Sequence, residues 1–436
     1  MKTVSNLVAN EKKQFESSVR AFLPRYALVP FRQHDELEYQ CIVKEGDVVS
    51  EGQVIALSLN EKTQKKAYIH APVPGTVISL EDCMQPDNEM GPAVKIRMEG
   101  AFSYLGKNIH QMEWQWYSRN ELMDLIADKG VINTFDSSVP LYQQIAGPNR
   151  DKSRFIVVRM FDDDPSHKTD SFVAQAFTKE VVEGSRILAK AVDASGVVFV
   201  LSKKMNVQIE EESFNSLPIL TVKTDGRKYP SGFKQNLVHI IRKVSKPAEK
   251  ESFNSVNRFS LFVDPETLYS VYEAVVFGKP VLETFVHVAG SCLQTSAMLH
   301  VRIGTTVKSL VNQCGGFKTK PSKIIINGMI TGCSVETLDT AITRGVKSVS
   351  FVPAKELNDH RQNLCVRCGK CRLICPEEIY PDLMYRHCNG GKKVGKDMIA
   401  TSILCSGCGL CNSVCPSRLP LCQTIEQLRK NEYENK

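Results

Sequence analysis

Short apolar runs alternate with polar positions and turn residues over 28–80. An apolar residue at every second position predicts a strand with one buried face. The dipeptides Gly46-Asp47 and Pro74-Gly75 are typical of the turns between such strands. This part of the chain is therefore predicted to be a domain of short strands joined by turns.

From about residue 113 to residue 250, strand-like and helix-like periods alternate. The predicted helices are 118–129, 171–191 and 234–244, and the predicted strands are 155–160, 197–201 and 217–222. Strand–helix–strand order favours an α/β layer with a partly parallel sheet. The polar stretch 245–254 is expected to be a surface loop.

Mixed patterns follow over 259–352. A helix is predicted over 264–277, because Pro265 stands at its start and Gly278 follows its end. The other elements predicted here are strands at 285–289, 298–302 and 323–326 and a helix at 306–314. The chain from Pro353 onward is expected to be helical, with short helices at 381–386 and 396–404.

Eight of the 15 cysteines form the same run twice near the C-terminus. Each run has the spacing Cys-x2-Cys-x2-Cys-x3-Cys-Pro, which is typical of bacterial ferredoxins. Three thiolates of one run bind three irons of a [4Fe–4S] cube, and the fourth cysteine binds the other cube. The predicted ligands of cluster 1 are Cys365, Cys368, Cys371 and Cys415. The predicted ligands of cluster 2 are Cys405, Cys408, Cys411 and Cys375.

Zinc sites and disulfides are the alternative interpretations of these cysteines. Zinc would use four thiolates per site without needing this spacing, and disulfides do not suit an N-terminus that lacks an apolar signal segment. Cys388 and Cys422 are predicted to be structural, because the two cubes already have eight ligands. The remaining cysteines are expected to be small buried hydrophobic residues; they are Cys41, Cys83, Cys292, Cys314 and Cys333.

Composition and charge limit the functional classes. No apolar run reaches the roughly 18 residues of a membrane span. The net charge is +7, and these basic residues crowd around the cysteine runs: Arg367, Lys370, Arg372, Lys392, Lys393 and Lys396. Such charge suits an acidic redox partner, although a solvated basic face is the simpler interpretation for Lys392 and Lys393. Nucleic-acid binding is disfavoured, because the basic residues have no aromatic interleaving.

Taken in order, these motifs resemble the C subunit of the Rnf-type ion-translocating electron transport complex. The N-terminal segments 45–49, 52–55 and 71–77 are similar to hammerhead, or barrel-sandwich, domains of biotinyl and lipoyl carriers. Further segments similar to the Rnf family are 29–34, 183–188, 228–232, 266–274, 278–281, 287–290 and 301–305. The double cysteine run closes the chain, as it does in that family.

The resemblance implies a multidomain α/β and α+β fold. Its implied parts are an N-terminal segment with a barrel-sandwich (hammerhead) β domain at 1–112, an α/β flavoprotein-like domain at 113–258, a β-grasp ligand-binding-like region with a following α/β segment at 259–352, and a helical ferredoxin-type domain with two [4Fe–4S] clusters at 353–436. Because the family is related to the NADH-binding flavin subunit of complex I, the resemblance also implies FMN and NADH.

Two segments depart from the family's flavin and NADH motifs. A glycine-rich loop is replaced by 129–140, where Gly130 is the one remaining glycine and bulkier residues follow it. Glycines allow the close backbone approach that cradles a phosphate. The second motif is replaced by 159–165, where the acidic–proline ending survives as Asp164-Pro165. The FMN/NADH loop near Gly130 and Asp164 is therefore expected to be degenerate, and loss of FMN and NADH binding is favoured over retention.

The favoured function is that of an electron-transfer subunit of a membrane-bound Rnf-like redox complex. It would relay single electrons through the two clusters while other subunits couple the transfer to ion translocation, and no catalytic residue is assigned. One alternative is an NADH-oxidising FMN-containing dehydrogenase subunit; the cobalamin-reducing flavoprotein of bacterial microcompartments is a related option. Another is a non-catalytic assembly scaffold with structural clusters. The expected partners are other subunits and a soluble donor or acceptor such as ferredoxin or NADH, and the expected location is peripheral, on the cytoplasmic side of the inner membrane.

Overall fold

The structure of the protein is a computed structural model. It describes residues 15, 17–33, 39–60, 65–146, 154–209, 214, 217–226, 229–245, 248–357, 361–390 and 395–433. Within these ranges, no helix is long and apolar enough to cross a membrane.

The described strands and helices follow in chain order. The strands are β1 (Val19–Arg20), β2 (Tyr26–Pro30), β3 (Gln40–Cys41), β4 (Val48–Val49), β5 (Val54–Asn60), β6 (Lys65–His70), β7 (Gly75–Met84), β8 (Met90–Met98), β9 (Ile132–Asn133), β10 (Val139–Pro140), β11 (Arg154–Arg159), β12 (Ala194–Ser202), β13 (Ile219–Thr224), β14 (Leu261–Val263), β15 (Glu283–Ala289), β16 (Ala297–Arg302), β17 (Lys323–Ile326), β18 (Cys333–Val335) and β19 (Ser348–Val352). The α-helices are α1 (Arg119–Asp128), α2 (Leu141–Ile145), α3 (Thr169–Ala176), α4 (Thr178–Val192), α5 (Lys234–Val244), α6 (Pro265–Val276), α7 (Val307–Gln313), α8 (Lys370–Ile374), α9 (Pro381–Asn389), α10 (Lys396–Ser402), α11 (Leu410–Ser413) and α12 (Leu421–Tyr433). Short 3-10 helices span Trp114–Trp116, Ala248–Ser255 and Ala354–Glu356.

The N-terminal strands form two antiparallel sheets that enclose an apolar core. One sheet has the order β2-β8-β7-β4 and the other the order β3-β5-β6. Alternate residues such as Val29, Ile55 and Ile96 are buried between the sheets, as the period of two predicts. At the turn before β7, a Cβ on Gly75 would lie 1.9 Å from the Arg97 carbonyl oxygen, so only glycine fits there. The predicted strand-rich N-terminal domain is confirmed.

The α/β layer is built on a sheet of the order β13-β12-β11-β14, in which every pair is parallel. Ile156 and Val158 of β11 pack on the side of α1, α4 and α6, whereas Val157 between them packs on the side of α5. Helices thus cover both faces, which explains why these strands are almost continuously apolar. The α/β layer is confirmed, and its four strands are all parallel rather than partly so.

A mixed sheet of the order β1-β16-β15-β19-β17-β18 follows. Its central strands β15 and β19 are parallel, and β16 and β17 pair with them in antiparallel fashion from either side. Helix α7 lies between β16 and β17 in the chain and packs on this sheet through Val307, Leu310 and Val311. This order is consistent with the β-grasp region expected here. Strand β1 reaches this sheet from the N-terminal segment and pairs in parallel with β16.

Two local predictions need correction. The helix predicted over 171–191 is two helices, α3 and α4, because the backbone breaks at Phe177 (φ −127°). The Phe177 ring packs against Phe172 and Phe285, so tertiary contact overrides the helical period. The surface loop predicted over 245–254 is in large part the 3-10 helix Ala248–Ser255; residues 246–247 lie outside the described ranges. The C-terminal region is helical, as predicted.

Candidate metal centres

The two cysteine runs follow the same backbone course. We call residues 364–382 the first repeat and 404–422 the second repeat, and residues at equivalent positions counterparts. Left-handed φ angles occur at three counterpart pairs, which are Arg367 and Gly407 (55° and 73°), Gly369 and Gly409 (70° and 66°), and Glu378 and Arg418 (54° and 53°). Residues other than glycine seldom adopt such angles. The chain is therefore bent at matching points in both repeats.

Turn hydrogen bonds repeat in the same register. The Glu378 N–H donates to the Cys375 carbonyl at 3.3 Å, and the counterpart Arg418 N–H donates to the Cys415 carbonyl at 3.1 Å. Helices α8 and α11 begin directly after Gly369 and Gly409 and contact each other. Each repeat therefore turns tightly around its cysteines and meets the other repeat through its short helix.

The predicted ligands of cluster 2 line one pocket. Cys375 of the first repeat faces Cys405, Cys408 and Cys411 of the second repeat there, as the crossed assignment requires. The Gly407 N–H points at the Cys405 sulfur at 3.5 Å, a contact that stabilises charge on a ligand sulfur. Burial raises the pKa of the Cys408 thiol, so a bound cation would favour its thiolate form.

Three of the four predicted ligands of cluster 1 share one small apolar group. Cys371 is buried there, and Cys365 and Cys415 pack against it together with Leu419 and Leu421. The fourth, Cys368, is exposed. Cys415 of the second repeat is thus placed beside cysteines of the first, and Cys411, a predicted ligand of cluster 2, belongs to the same apolar group.

Within the described residues, no group of three or more histidine, cysteine or acidic side chains converges on a point that could hold a single metal ion. Convergence on one point suits a mononuclear zinc site. In a cube of four irons, each thiolate instead binds a different corner. Ligation of two cubes by these eight cysteines stays a prediction.

Cys422 and Cys388 lie close to the pocket lined by the predicted ligands of cluster 2, which we call the second pocket. Cys422 lines it, and its thiol hydrogen-bonds with those of Cys405 and Cys411. The counterpart of Cys422 in the first repeat is Asp382, which accepts two hydrogen bonds from Arg372 at 2.6 and 2.7 Å. Cys388 packs on a neighbouring apolar group beside Cys375 and Cys405.

The second repeat is buried against the α/β layer. The Tyr229 hydroxyl donates a hydrogen bond to the Cys408 carbonyl. Its ring packs with Phe233, Cys408 and Leu410, and Ile330 covers the same apolar group. The similarity at 228–232 marked this segment in the sequence, but its contact with a cysteine loop about 180 residues further on is purely tertiary.

Asp164 holds the loop that carries Ile330. Its Oδ2 accepts the N–H groups of Ile330 and Thr331 at 2.8 and 3.3 Å, and its Oδ1 accepts the Ser166 N–H at 2.8 Å. A Cβ on Gly328 would lie 2.5 Å from the carboxylate, so the loop closes tightly over Asp164. The surviving acidic residue of the altered motif therefore anchors the contact between the α/β layer and the second repeat.

The segment at Gly130 offers no free phosphate cradle. The N–H groups of Gly130, Val131, Thr134 and Phe135 donate to protein oxygens at 3.0–3.2 Å. A Cβ on Gly130 would lie 2.8 Å from Arg344 Nη1, so the space beside this glycine is also filled. A flavin phosphate needs open space and unpaired amides, and these four amides do not fit that requirement.

Buried charges lie behind this segment. The Arg159 guanidinium sits 4.2 Å from the centroid of the Phe135 ring and donates to Asp170 at 3.0 Å. Lys347 Nζ donates to Asp170 at 2.8 Å and to Asp264 at 2.7 Å. Burial alone would lower the pKa of Lys347, but these two carboxylates raise it. The basic groups of Arg159 and Lys347 are therefore paired with the carboxylates of Asp170 and Asp264 inside the protein.

Models of known protein families match the N-terminal strand domain and the α/β layer. Residues 8–101 match the family model for the RnfC barrel sandwich hybrid domain, and residues 126–273 match that for the Nuo51 FMN-binding domain. The chain is 25% identical over 366 residues to the C subunit of the proton-translocating ferredoxin:NAD(+) oxidoreductase complex of Clostridium ljungdahlii, covering 83% of this chain and 78% of that protein. It is 24% identical over 365 residues to the C subunit of the ion-translocating oxidoreductase complex of Rhodobacter capsulatus, covering 82% and 69%.

Comparison with solved structures finds two states of an NAD+-reducing [NiFe]-hydrogenase. Its H2-reduced state matches with a TM-score of 0.47 and 10% identity over 73% of this chain and 61% of that one. The air-oxidized state gives a TM-score of 0.42 and 11% identity over 56% and 48%. The chain thus spans less than two thirds of those hydrogenase chains.

These matches define a class of protein in which a barrel sandwich hybrid domain is followed by a Nuo51-type domain. The resemblance to the C subunit of Rnf-type ion-translocating complexes is thereby confirmed over most of the chain.

Proposed function

We propose that this chain is an electron-transfer subunit of an Rnf-like complex and holds two [4Fe–4S] clusters. Cys365, Cys368, Cys371 and Cys415 would hold cluster 1, and Cys405, Cys408, Cys411 and Cys375 would hold cluster 2. The observation that carries the proposal is the pocket in which Cys375 crosses over to the three cysteines of the second repeat. A [4Fe–4S] cluster supplies reversible one-electron chemistry.

The surrounding residues give the two repeats different environments. Tyr229, Phe233 and Ile330 pack against Cys408 and Leu410 of the second repeat, whereas the first repeat keeps Cys368 exposed. Burial and amide contacts to sulfur tune the potential of a bound cluster. We propose an inner centre beside the α/β layer and an outer centre at the surface, so that electrons cross the protein between them.

The match to an FMN-binding domain favours a second candidate, an NADH-oxidising flavin subunit. The geometry at Gly130 speaks against it, because four amides of this segment already donate within the protein. Asp136, which would face a phosphate, is paired with Lys234. We therefore derive no step through a flavin.

Partners and location belong to the same proposal. The relatives named above are subunits of ion-translocating complexes, which supports other subunits as neighbours of this chain. Peripheral attachment on the cytoplasmic side of the inner membrane and coupling to ion movement by those subunits complete the proposed role.

Anaerobic purification and reconstitution test the proposal. Iron, sulfide and FMN are counted per chain, and the visible spectrum is followed as NADH, and then dithionite, is added. We expect about eight irons, no FMN, no bleaching by NADH and full bleaching by dithionite. Bound FMN with NADH-driven bleaching would support the flavin subunit instead. Clusters that no low-potential donor reduces would support the scaffold alternative and contradict the relay.

A further inference from the structure

Large apolar side chains are exposed around the first repeat. Leu364, Val366 and Leu373 are 90%, 66% and 88% exposed. Their counterparts in the second repeat are Leu404, which is 41% exposed, and the serines Ser406 and Ser413. Exposed apolar residues that are scattered singly need no explanation, but a group gathered on one loop and helix marks an interaction surface.

Basic residues flank the same surface. Arg361, Arg367 and Lys370 are exposed, and no carboxylate in the described part of the chain forms an ion pair with any of them. Among the described acidic residues of the first repeat, Glu378 is the exposed one. The surface therefore carries an excess of unpaired positive charge, which attracts an acidic partner and speeds its encounter.

Cys368 lies within this surface. Of the eight predicted ligands, it is the one whose side chain is exposed. We name the surface formed by Arg361, Leu364, Val366, Arg367, Cys368, Lys370 and Leu373 the outer face. A partner seated on the outer face would approach a ligand of the outer centre directly.

We propose that the outer face docks an acidic one-electron carrier protein, an inference that rests on the proposed relay. A small apolar contact with a basic rim fits the weak, short-lived contacts typical of redox pairs. An anionic membrane surface would also suit apolar and basic residues. The exposed cysteine favours the protein partner, because a bilayer would cover the site of electron exchange.

The test measures how fast the reconstituted full chain is reduced by a reduced acidic ferredoxin. The charge variant is Arg361→Glu with Lys370→Glu, and the apolar variant is Val366→Ser with Leu373→Ser, which copies the serines of the second repeat. The controls are Lys308→Glu, at an exposed position of α7, and Phe259→Ser, at a position that is 79% exposed and lies outside the outer face. A neutral small-molecule mediator serves as the second reductant, and iron is counted in every variant.

We expect the charge variant to lower the second-order rate constant with ferredoxin about tenfold at low salt. The apolar variant should lower it less, and the controls and the rate with the mediator should not change. The wild-type rate should also fall as salt is raised, a measurement that needs no variant. An unchanged rate in both variants, or a wild-type rate that does not fall with salt, overturns the docking proposal.

Two further outcomes separate the alternatives. Binding to anionic phospholipid vesicles that the apolar variant abolishes would overturn the docking proposal in favour of a membrane contact. Failure of the mediator to reduce any cluster would instead contradict the relay itself.

Discussion

The two cysteine repeats share a backbone but not an environment. Their left-handed positions coincide, yet Cys408 is buried under Tyr229 and Phe233 while its counterpart Cys368 is exposed. Lys370 is likewise exposed where its counterpart Leu410 is buried. Cysteine spacing thus sets the local loop, whereas packing against the segment before α5 decides which of the two repeats is buried.

Removal of one ligand from each repeat should give the largest effect. Cys368→Ala and Cys408→Ala should each lower reconstituted iron from about eight to about four per chain. Only Cys408→Ala should also lower the thermal midpoint of unfolding markedly, because its side chain fills a packed contact with the α/β layer. Iron analysis and calorimetry check this, with Cys388→Ala as the control. Equal midpoints for the two variants would contradict the inner and outer assignment.

Removal of iron by a chelator should have the next largest effect and should distinguish the two proposed centres. A mild iron chelator under anaerobic conditions should strip the outer centre first, because Cys368 is exposed and the cysteines of the second pocket are largely shielded. A species with about four irons should therefore accumulate. Electron paramagnetic resonance should show that this species matches the Cys368→Ala protein. A match to Cys408→Ala would reverse the order of the centres.

Loss of a single hydrogen bond should have a smaller effect. Tyr229→Phe removes the donor to the Cys408 carbonyl and should lower the free energy of unfolding by about 1–3 kcal/mol, because a buried acceptor is left unpaired. Tyr380→Phe, at a 51% exposed position in the first repeat, should change little. Urea denaturation of both variants checks the difference. Equal losses would show that the hydroxyl contact does not stabilise the second repeat.

The smallest effect is expected at Cys422. Cys422→Ser should keep about eight irons, since each cube already has four thiolates. The serine can retain hydrogen bonding to the neighbouring cysteines of the second pocket. A fall to about four irons would show that Cys422 is a ligand and that the assignment from spacing is wrong.

The sequence predicts those helices whose apolar period or capping residues lie within the helix itself. The pattern predicts helix α5 with its observed limits, because its apolar residues repeat on one face. At α6, Asp264 accepts the Thr267 N–H and Pro265 occupies the first turn, so the start of this helix is also predictable. The strand β14 is not predicted, because three residues carry too little period. The bounds of helix α12 are not predicted, because its burial depends on contacts such as that of Ile425 with Ile379.

The residues of the candidate site are also predictable only in part. Spacing alone predicts the eight cysteines and their crossed assignment, because loop geometry is encoded within each run. It does not predict the contacts of Tyr229 with Cys408, or of Asp164 with the loop at Ile330, since these join segments distant in the chain. Nor does it indicate that the amides near Gly130 are already paired. Those facts depend on how sheets and loops meet in three dimensions.

Strand β1 has a consequence for biosynthesis. Val19 and Arg20 pair with Leu299 and His300, and Arg20 also forms an ion pair with Glu283. The residues of β1 are therefore made about 280 residues before those of their partner strand. If β1 does not pair once β16 has formed, the edge of β16 stays uncovered, and an uncovered strand edge invites pairing between chains. A shortened chain that begins after β1 should leave this edge open permanently and aggregate during expression.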